Sequence, residues 1–182
     1  MAGTVEGRDA PSGPRGHIVL VGLSGTGKTT VAPLLARRRD VAVVDLDTEV
    51  ERRAGRTAAE VFAEDGEDAF RDLESDELDR ALGGPAAVIA TGGGVVVRAG
   101  NRDRLRGGAA VVWLHAAPDD LAARLVHARQ RRPLLGDDPA TALRRLAGER
   151  DPLYREVADL VVEVGGRPPE AIADQLDREL PA

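Results

Sequence analysis

Cysteine is absent from this 182-residue chain, and only three histidines are present, at His17, His115 and His127. Without cysteine, the chain can form no disulfide framework, no thiol nucleophile and no cysteine-based zinc site. The histidines are widely separated along the chain and lack the spacing of metal ligands. We therefore expect any metal to be bound by oxygen atoms.

Lysine is almost absent as well. Arginine supplies 24 of the 25 basic side chains, and Lys28 is the only lysine. This bias, together with abundant alanine and very few aromatic residues, indicates a compositional drift of the whole sequence. A single lysine that persists against such a drift needs a chemical reason, so Lys28 is a candidate functional residue.

Long apolar runs are also missing. No uninterrupted run approaches the roughly 20 residues that a membrane span requires. The first 16 residues, MAGTVEGRDAPSGPRG, contain no apolar stretch of the kind that a signal peptide needs. We therefore expect a cytoplasmic protein without a membrane partner. The length predicts one domain, at 17–182, and the Gly, Pro and charged residues of 1–16 predict a disordered N-terminal tail.

Charge is unevenly distributed, although the net charge is only −6. Residues 45–79 contain 14 acidic residues and four arginines, whereas 98–155 contain 12 arginines and seven acidic residues. Such blocks are typical of solvated helix faces, and they can also form two sides of one cleft. The negative total and the lack of aromatic residues among the arginines argue against a nucleic-acid partner.

Five short apolar runs recur along the chain, separated by segments of helical character. Strands that alternate with helices predict an α/β fold, in which a mainly parallel sheet is covered by helices on both faces. Thr57-Ala-Ala-Glu60 has the pattern of a capping box and predicts the start of one helix. The apolar runs lie at 17–22, 41–44, 86–90, 109–114 and 160–164.

The segment GLSGTGKT at 22–29 matches the phosphate-binding pattern GxxxxGK[ST] and lies between a predicted strand and a predicted helix. Its glycines allow the backbone N–H groups to point at phosphate oxygens, in front of the positive end of the helix dipole. Lys28 suits the terminal phosphates as a compact charge, and the hydroxyl of Thr29 suits magnesium. The predicted ATP contacts in this loop are Gly25, Thr26, Gly27, Lys28, Thr29 and Thr30.

Two carboxylates, Asp45 and Asp47, follow the second apolar run. Ligands of open parallel sheets bind at the carboxyl ends of the strands, so both side chains are expected near the phosphates. If the segment is extended, alternate residues point the same way, and the two carboxylates share one cleft. We assign Asp45, with Thr29, to one Mg²⁺ ion, and Asp47 to the acceptor hydroxyl. Whether Asp47 is a true base or only orients that hydroxyl stays open.

Two arginines indicate an anionic acceptor. Arg71 and Glu74 are three residues apart on one predicted helix, so the carboxylate can hold the guanidinium in place. Arg150 lies near the end of another helical segment, and the three glycines at 92–94 allow backbone to approach a ligand closely. Since a guanidinium group matches a carboxylate, two such groups predict a small anionic substrate.

At this point the chain resembles the shikimate kinases over roughly residues 17–180. Any one of the motifs apart from the phosphate-binding loop would be weak, but together and in this order they are highly specific. They are GLSGTGKTT at 22–30, DLD at 45–47, GRTAAEVF at 55–62 with GEDAFRDLE at 66–74, GGG at 92–94, RRPLL at 131–135 and RDPLY at 150–154.

The resemblance implies transfer of the ATP γ-phosphoryl group to the 3-hydroxyl of shikimate, in the route to aromatic amino acids. It implies a monomer with a five-stranded parallel sheet like that of nucleoside monophosphate kinases, and a mobile lid at about 124–138. It assigns shikimate binding to Asp47, Arg71, Gly93 and Arg150, and catalysis to Lys28, Asp47 and Arg132. Arg132 would also reach the ATP phosphates, Arg167 would lie near adenine, and Thr29 and Asp45 would be the magnesium residues.

Three questions stay open at this stage. The spacing between Arg124 and Arg132 is one residue longer than the family pattern, so either Arg124 or Arg129 would stack on adenine. A gluconate kinase shares the phosphate-binding loop and the size, although the paired arginines favour shikimate. A nucleotide-binding module with a decayed acceptor site would bind ATP without shikimate-dependent release of ADP.

Overall fold

The computed structural model describes residues 3–4, 16–127 and 138–181. Within these ranges the chain alternates between strands and helices, as the sequence predicts. The strands are β1 (Gly3–Thr4), β2 (Ile18–Val21), β3 (Ala42–Asp45), β4 (Ala87–Ala90), β5 (Ala110–His115) and β6 (Leu160–Glu163). The helices are α1 (Lys28–Arg39), α2 (Leu46–Ala54), α3 (Ala58–Glu64), α4 (Gly66–Gly83), α5 (Ala99–Gly108), α6 (Pro118–His127), α7 (Pro139–Val157) and α8 (Pro169–Glu179).

The strands form one sheet in the order β1-β6-β5-β2-β4-β3. Strands β2 to β6 are parallel, and Val19 at the centre of β2 pairs with Ile89 on one side and Val111 on the other. The predicted five-stranded parallel sheet is therefore confirmed. The short β1 adds an antiparallel edge beside β6, so Gly3–Thr4 depart from the prediction of a wholly disordered tail. The backbone hydrogen bonds of this pair fix the dipeptide.

The central strands are apolar throughout because helices cover both of their faces. All four residues of β2 and all four of β4 are buried, and β5 is buried over its first five residues. Strand β3 lies at the other edge of the sheet, and its Val43 is exposed. The main core therefore sits around β2, β4 and β5, which are the strands closest to the phosphate-binding loop.

A capping box and a second apolar core position helices α2, α3 and α4 next to the sheet. The capping box is confirmed: Thr57 Oγ1 accepts from Glu60 N at 3.2 Å, and Glu60 Oε2 accepts from Thr57 N at 2.7 Å. Val61, Val50 and Phe70 form a second small core between α2, α3 and α4. Helices α2, α3 and α4, which we call the α2–α4 subdomain, lie beside the carboxyl end of β3 and form one wall of a cleft.

No helix in the described part of the chain combines the length and the apolar character needed to cross a membrane.

The buried His17, just before β2, generates a stability prediction. Its side chain is 2% exposed, and neither ring nitrogen has a hydrogen-bond partner among the described residues. An unpaired buried polar group costs about 1–3 kcal/mol. His17→Leu keeps a similar volume, so we expect it to raise the free energy of unfolding by about 1 kcal/mol and Tm by roughly 2–4 °C, as measured by thermal and urea unfolding.

His115→Leu is the matched control, because His115 Nδ1 lies 2.6 Å from Glu163 Oε1. This variant should gain no stability. A clear loss of stability in His17→Leu would show that the ring nitrogens make favourable interactions.

Candidate active site

Three loops meet at the carboxyl edge of the parallel sheet. The loop between β2 and α1 carries the phosphate-binding motif, the β3–α2 junction carries Asp45 and Asp47, and the turn after β4 carries Gly92, Gly93 and Gly94. Parallel strands bring such loops together because all of their carboxyl ends face the same way. The edge therefore collects the predicted phosphate and acceptor residues.

Glycine is essential in the phosphate-binding loop. Gly22 has a φ of 140°, and a Cβ there would overlap the carbonyl oxygen of Leu114 on β5. Gly27, with a φ of 92°, immediately precedes α1. These left-handed residues turn the chain sharply between strand and helix. As a result, the amino end of α1 faces the loop, which is the arrangement that binds phosphate.

Lys28 lies inside this loop rather than in solvent, because its side chain is only 7% exposed. Its Nζ donates to the carbonyl oxygens of Gly22 at 2.7 Å and Leu23 at 2.9 Å. These two carbonyls hold the ammonium group at the centre of the loop. The one lysine of the chain is thus where a phosphate would need a compact cation.

Thr29 and Asp45, the two residues assigned to magnesium, are in direct contact. Thr29 Oγ1 donates to Asp45 Oδ2 at 2.9 Å, and the other oxygen, Oδ1, accepts from Thr48 N at 3.2 Å. No group of three or more His, Asp or Glu side chains in the described residues could form an all-protein metal cage. One hydroxyl and one carboxylate fit magnesium, which binds few protein ligands and completes its shell with water and phosphate.

Asp47 reaches its site by a different route from the one predicted. Asp45 ends β3 and caps α2, so Asp47 lies in the first helical turn and not in an extended segment. The helix separates the two carboxylates: Asp45 faces Thr29, whereas Asp47 lines the neighbouring cavity. The prediction of an extended segment with one shared cleft was wrong, because the Asp45 cap starts the helix immediately.

The cavity has a volume of about 420 Å³ and contains every predicted acceptor contact: Asp47, Arg71, Gly93 and Arg150. Its walls come from the phosphate-binding loop, the α2–α4 subdomain, the glycine turn and α7. Apolar surface from Leu23, Phe62, Phe70 and Leu146 completes it. A cleft with a few polar groups on an apolar wall is the usual form of a small-molecule site.

Arg71 is 4% exposed and is fixed on several sides. Its Nη1 donates to Glu74 Oε2 at 2.7 Å, which confirms the predicted pair, and its Nη2 donates to Glu67 Oε1 at 3.2 Å. The guanidinium carbon also lies 5.4 Å from the ring centroid of Phe70 and 5.9 Å from that of Phe62. These ion-pair and cation–π contacts orient the group at the cavity wall.

Glu74 is more deeply buried than Arg71, at 1% exposure. Burial raises the pKa of its carboxyl above the ordinary value, although the Arg71 guanidinium opposes this rise. Its Oε1 has no hydrogen-bond partner in the described part of the chain, and a Cβ on Gly92 would lie 2.7 Å from that oxygen. Glu74 therefore presents a polar atom at the glycine turn.

The glycine turn is a place where side chains would not fit. A Cβ on Gly92 would lie 2.6 Å from Asp47 Oδ1, and a Cβ on Gly94 would overlap the guanidinium of Arg71. A Cβ on Gly93 would lie 3.6 Å from Arg150 Nη1. The turn thus lets three charged side chains and the backbone share one small volume.

Arg150 enters the cavity from α7 and is 8% exposed. One turn further along, Tyr154 is completely buried, and its hydroxyl donates to the carbonyl oxygen of Gly93. The Arg150 guanidinium lies near enough to the Tyr154 hydroxyl to influence its pKa. The second predicted arginine therefore converges with Arg71 on the cavity.

Comparison with known proteins agrees with this geometry. The family model for shikimate kinase matches residues 24–181. The chain belongs to the shikimate kinase family. The shikimate kinase of Pseudomonas aeruginosa (strain LESB58) is 42% identical over 160 residues, which cover 88% of this chain and 93% of the relative.

Solved structures separate the family from its fold neighbours. The shikimate kinase from Acinetobacter baumannii in complex with shikimate has a TM-score of 0.85 and 36% identity, covering 90% of this chain and 91% of that one. A gluconokinase from Sinorhizobium meliloti 1021 has a TM-score of 0.60 and 22% identity, covering 92% and 90%. The second likeness shows the fold alone, which other P-loop kinases share.

The nucleotide-side arginines lie partly outside the described residues. Arg132, Arg129 and most of the predicted lid at 124–138 are among the residues that the structure does not describe. Arg124 Nη2 donates to Val164 O at 2.9 Å, and Arg167 Nη1 donates to Glu163 O at 3.0 Å. The structure thus brings these two predicted adenine contacts to one loop, between β6 and α8.

Several residues of this shikimate kinase site were missed by the sequence-based analysis. Tyr154, Phe62, Phe70 and Leu146 had no assigned role, and Glu74 was seen only as the partner of Arg71. The i, i+4 spacing of Arg150 and Tyr154 was a usable signal, since it places both on one helix face. The others become apparent only after folding, because they come from separate helices.

Gly94→Ala tests whether the bare turn holds Arg71 in place. Gly94 lacks a left-handed φ, so the backbone tolerates alanine, but the new methyl group overlaps the guanidinium. We expect a folded protein whose Kd for shikimate, measured by titration calorimetry, rises at least about tenfold, or 1.4 kcal/mol.

Gly107→Ala on α5 is the control, because a Cβ there meets nothing within 4 Å. It should bind shikimate normally. Normal shikimate affinity in Gly94→Ala would contradict the role given to the turn.

Proposed function

We propose that this chain transfers the γ-phosphoryl group of ATP to the 3-hydroxyl of shikimate, releasing ADP and shikimate 3-phosphate. The observation that carries the proposal is the convergence of Arg71, Arg150 and Asp47 on one cavity beside the phosphate-binding loop. Two buried guanidinium groups suit the carboxylate of a substrate, and the carboxylate of Asp47 suits a hydroxyl. Shikimate presents both groups on one small ring.

The carboxylate of shikimate binds between Arg71 and Arg150. Both guanidinium groups are nearly buried, so their interaction with a carboxylate is weakly screened by water. Glu74 and Glu67 already orient Arg71, and Tyr154 contacts Arg150, so little reorganisation accompanies binding. The carboxylate therefore anchors the ring, and the backbone of Gly93 lies against it.

The acceptor hydroxyl lies at Asp47, on the side of the cavity that adjoins the phosphate-binding loop. Asp47 accepts the hydrogen bond of this hydroxyl and holds its oxygen toward the γ-phosphate. Phosphoryl transfer depends mainly on such positioning and on neutralisation of charge. The unpaired Oε1 of Glu74 supplies a second acceptor for a ring hydroxyl.

The triphosphate of ATP lies over the loop from Gly25 to Thr30. The backbone N–H groups and the amino end of α1 face the phosphates. Lys28 exchanges its contacts with the Gly22 and Leu23 carbonyls for phosphate oxygens, and so stabilises the charge on the transferred group. Arg132 and a lid at about 124–138 remain predictions from the sequence, and Arg167 would lie near the adenine.

One magnesium ion would accompany ATP, and the Thr29 hydroxyl and the Asp45 carboxylate would hold it. When bound, the ion would neutralise charge on the phosphate oxygens. The contact of 2.9 Å between the two side chains supports this assignment, since it brings the two candidate ligand oxygens together.

The enzyme acts as a monomer in the cytoplasm. The resemblance to the shikimate kinases implies this monomeric state. The cytoplasm supplies the ATP that the reaction consumes.

A coupled assay of ADP release tests the function. With ATP and magnesium, we expect release that depends on shikimate, while gluconate and nucleoside monophosphates give less than about one hundredth of that kcat/KM, a difference of roughly 2.7 kcal/mol. The physical reason is the fixed spacing of the two arginines and Asp47. ATP binding with no shikimate-dependent ADP release would refute the proposal, and preferential turnover of gluconate would reassign it.

Arg71→Ala tests the carboxylate site. Removing a buried charged partner should weaken shikimate binding by about 2 to 4 kcal/mol, measured by titration calorimetry. Arg80→Ala, at an exposed position of the same helix, is the control and should leave the Kd unchanged. An unchanged Kd in Arg71→Ala would remove Arg71 from the site.

A further inference from the structure

The Tyr154 hydroxyl joins two groups of the acceptor site without lining the cavity itself. It donates to the carbonyl oxygen of Gly93, and the Arg150 guanidinium lies near enough to influence the pKa of this hydroxyl. A Cβ on Gly93 would lie 3.6 Å from Arg150 Nη1, so the guanidinium also lies beside the glycine turn. The hydroxyl, the guanidinium and the turn therefore meet at one place.

The ring of Tyr154 is held from behind. It is fully buried, and its centroid lies 5.7 Å from that of Trp113 on β5. Trp113 in turn packs against the His115 ring and the Arg155 guanidinium, so the aromatic stack extends to the end of the strand. This packing ties the position of the hydroxyl to the central sheet.

Burial raises the pKa of the Tyr154 hydroxyl, so the group keeps its proton at every pH where the enzyme works. It therefore keeps its hydrogen bond to the Gly93 carbonyl. Three consecutive glycines have unusual backbone freedom, and no side chain of the turn itself can hold it in place. The phenol hydroxyl supplies that restraint from another helix.

We propose that Tyr154 is a positioning residue for shikimate binding, which holds the Arg150 guanidinium and the Gly93 backbone at a fixed spacing. The inference rests on the proposed function. It adds that one hydroxyl outside the cavity sets the alignment of two contacts inside it.

Tyr154→Phe removes the hydroxyl and retains the ring. Steady-state kinetics should show a KM for shikimate that rises roughly tenfold, the size expected when a buried polar pair beside a charge is broken. The KM for ATP and kcat should stay within about twofold, which is under 0.5 kcal/mol. A general loosening of the fold would instead change kcat and both KM values together.

Thr91→Val is the matched control, because its hydroxyl is also buried and donates to a backbone carbonyl, that of Leu20 at 2.9 Å. It should lower Tm without changing the KM for shikimate. An unchanged KM for shikimate in Tyr154→Phe would overturn the proposal. So would equal changes in kcat and both KM values, or the same rise in Thr91→Val. The proposed function fails separately, if the unaltered chain does not turn over shikimate.

A second measurement needs no substitution, so it tests the proposal even if Tyr154→Phe does not fold. Tyr154 is the only tyrosine, so growth on 3-fluorotyrosine labels this position alone. Saturation with shikimate should shift the fluorine resonance, because Arg150 then shares its donors with the substrate carboxylate. ADP alone should leave the resonance in place. A resonance that does not respond to shikimate would overturn the proposal.

Discussion

The burial of two guanidinium groups beside one cavity is the constraint on which the rest of the site depends. A buried charge is costly unless it is paired and hydrogen-bonded. Arg71 meets this requirement with Glu74, Glu67 and two aromatic rings, and Arg150 meets it in part with Tyr154. Both arginines line the cavity, where a substrate carboxylate binds between them. The same buried arginines therefore determine both the electrostatics of the folded protein and the recognition of the substrate.

The sheet and the glycine turn make this burial feasible. The parallel strands bring three loops to one edge, and the turn at 92–94 leaves the space in which Arg71, Asp47 and Glu74 crowd together. A side chain at Gly92 or Gly94 would compete with a functional group for the same volume. The phosphate-binding loop lies immediately beside it, so the anchored ring and the donor phosphate are neighbours. Most other arginines instead form ion pairs on exposed surfaces, where each pair is worth about 0–1 kcal/mol.

Much of this arrangement could be predicted from sequence because its signals are local. The apolar runs predicted every parallel strand, and the glycine-rich motif predicted a phosphate-binding loop between a strand and a helix. The spacing of Arg71 and Glu74 predicted their ion pair. These features depend on a few neighbouring residues. The family pattern then supplied the acceptor, which no periodicity contains.

The rest depended on contacts between distant segments. Tyr154 and Gly93 are 61 residues apart, and nothing in either local pattern indicates that they meet. The pairing of Gly3–Thr4 with β6 likewise joins the two ends of the chain. Asp47 was misplaced for a local reason: the carboxylate of Asp45 accepts from Thr48 N and starts a helix where an extended segment was expected. This hydrogen bond caps the helix at the position where the strand would otherwise continue.

The most direct test of the central claim removes the charge from the ligand instead of the protein. The methyl ester of shikimate keeps all three hydroxyls but has no carboxylate to place between Arg71 and Arg150. Titration calorimetry of the unaltered protein should give an affinity for the ester at least about thirtyfold lower than for shikimate, or roughly 2 kcal/mol. Equal affinity for the acid and the ester would show that the buried arginines do not bind the carboxylate.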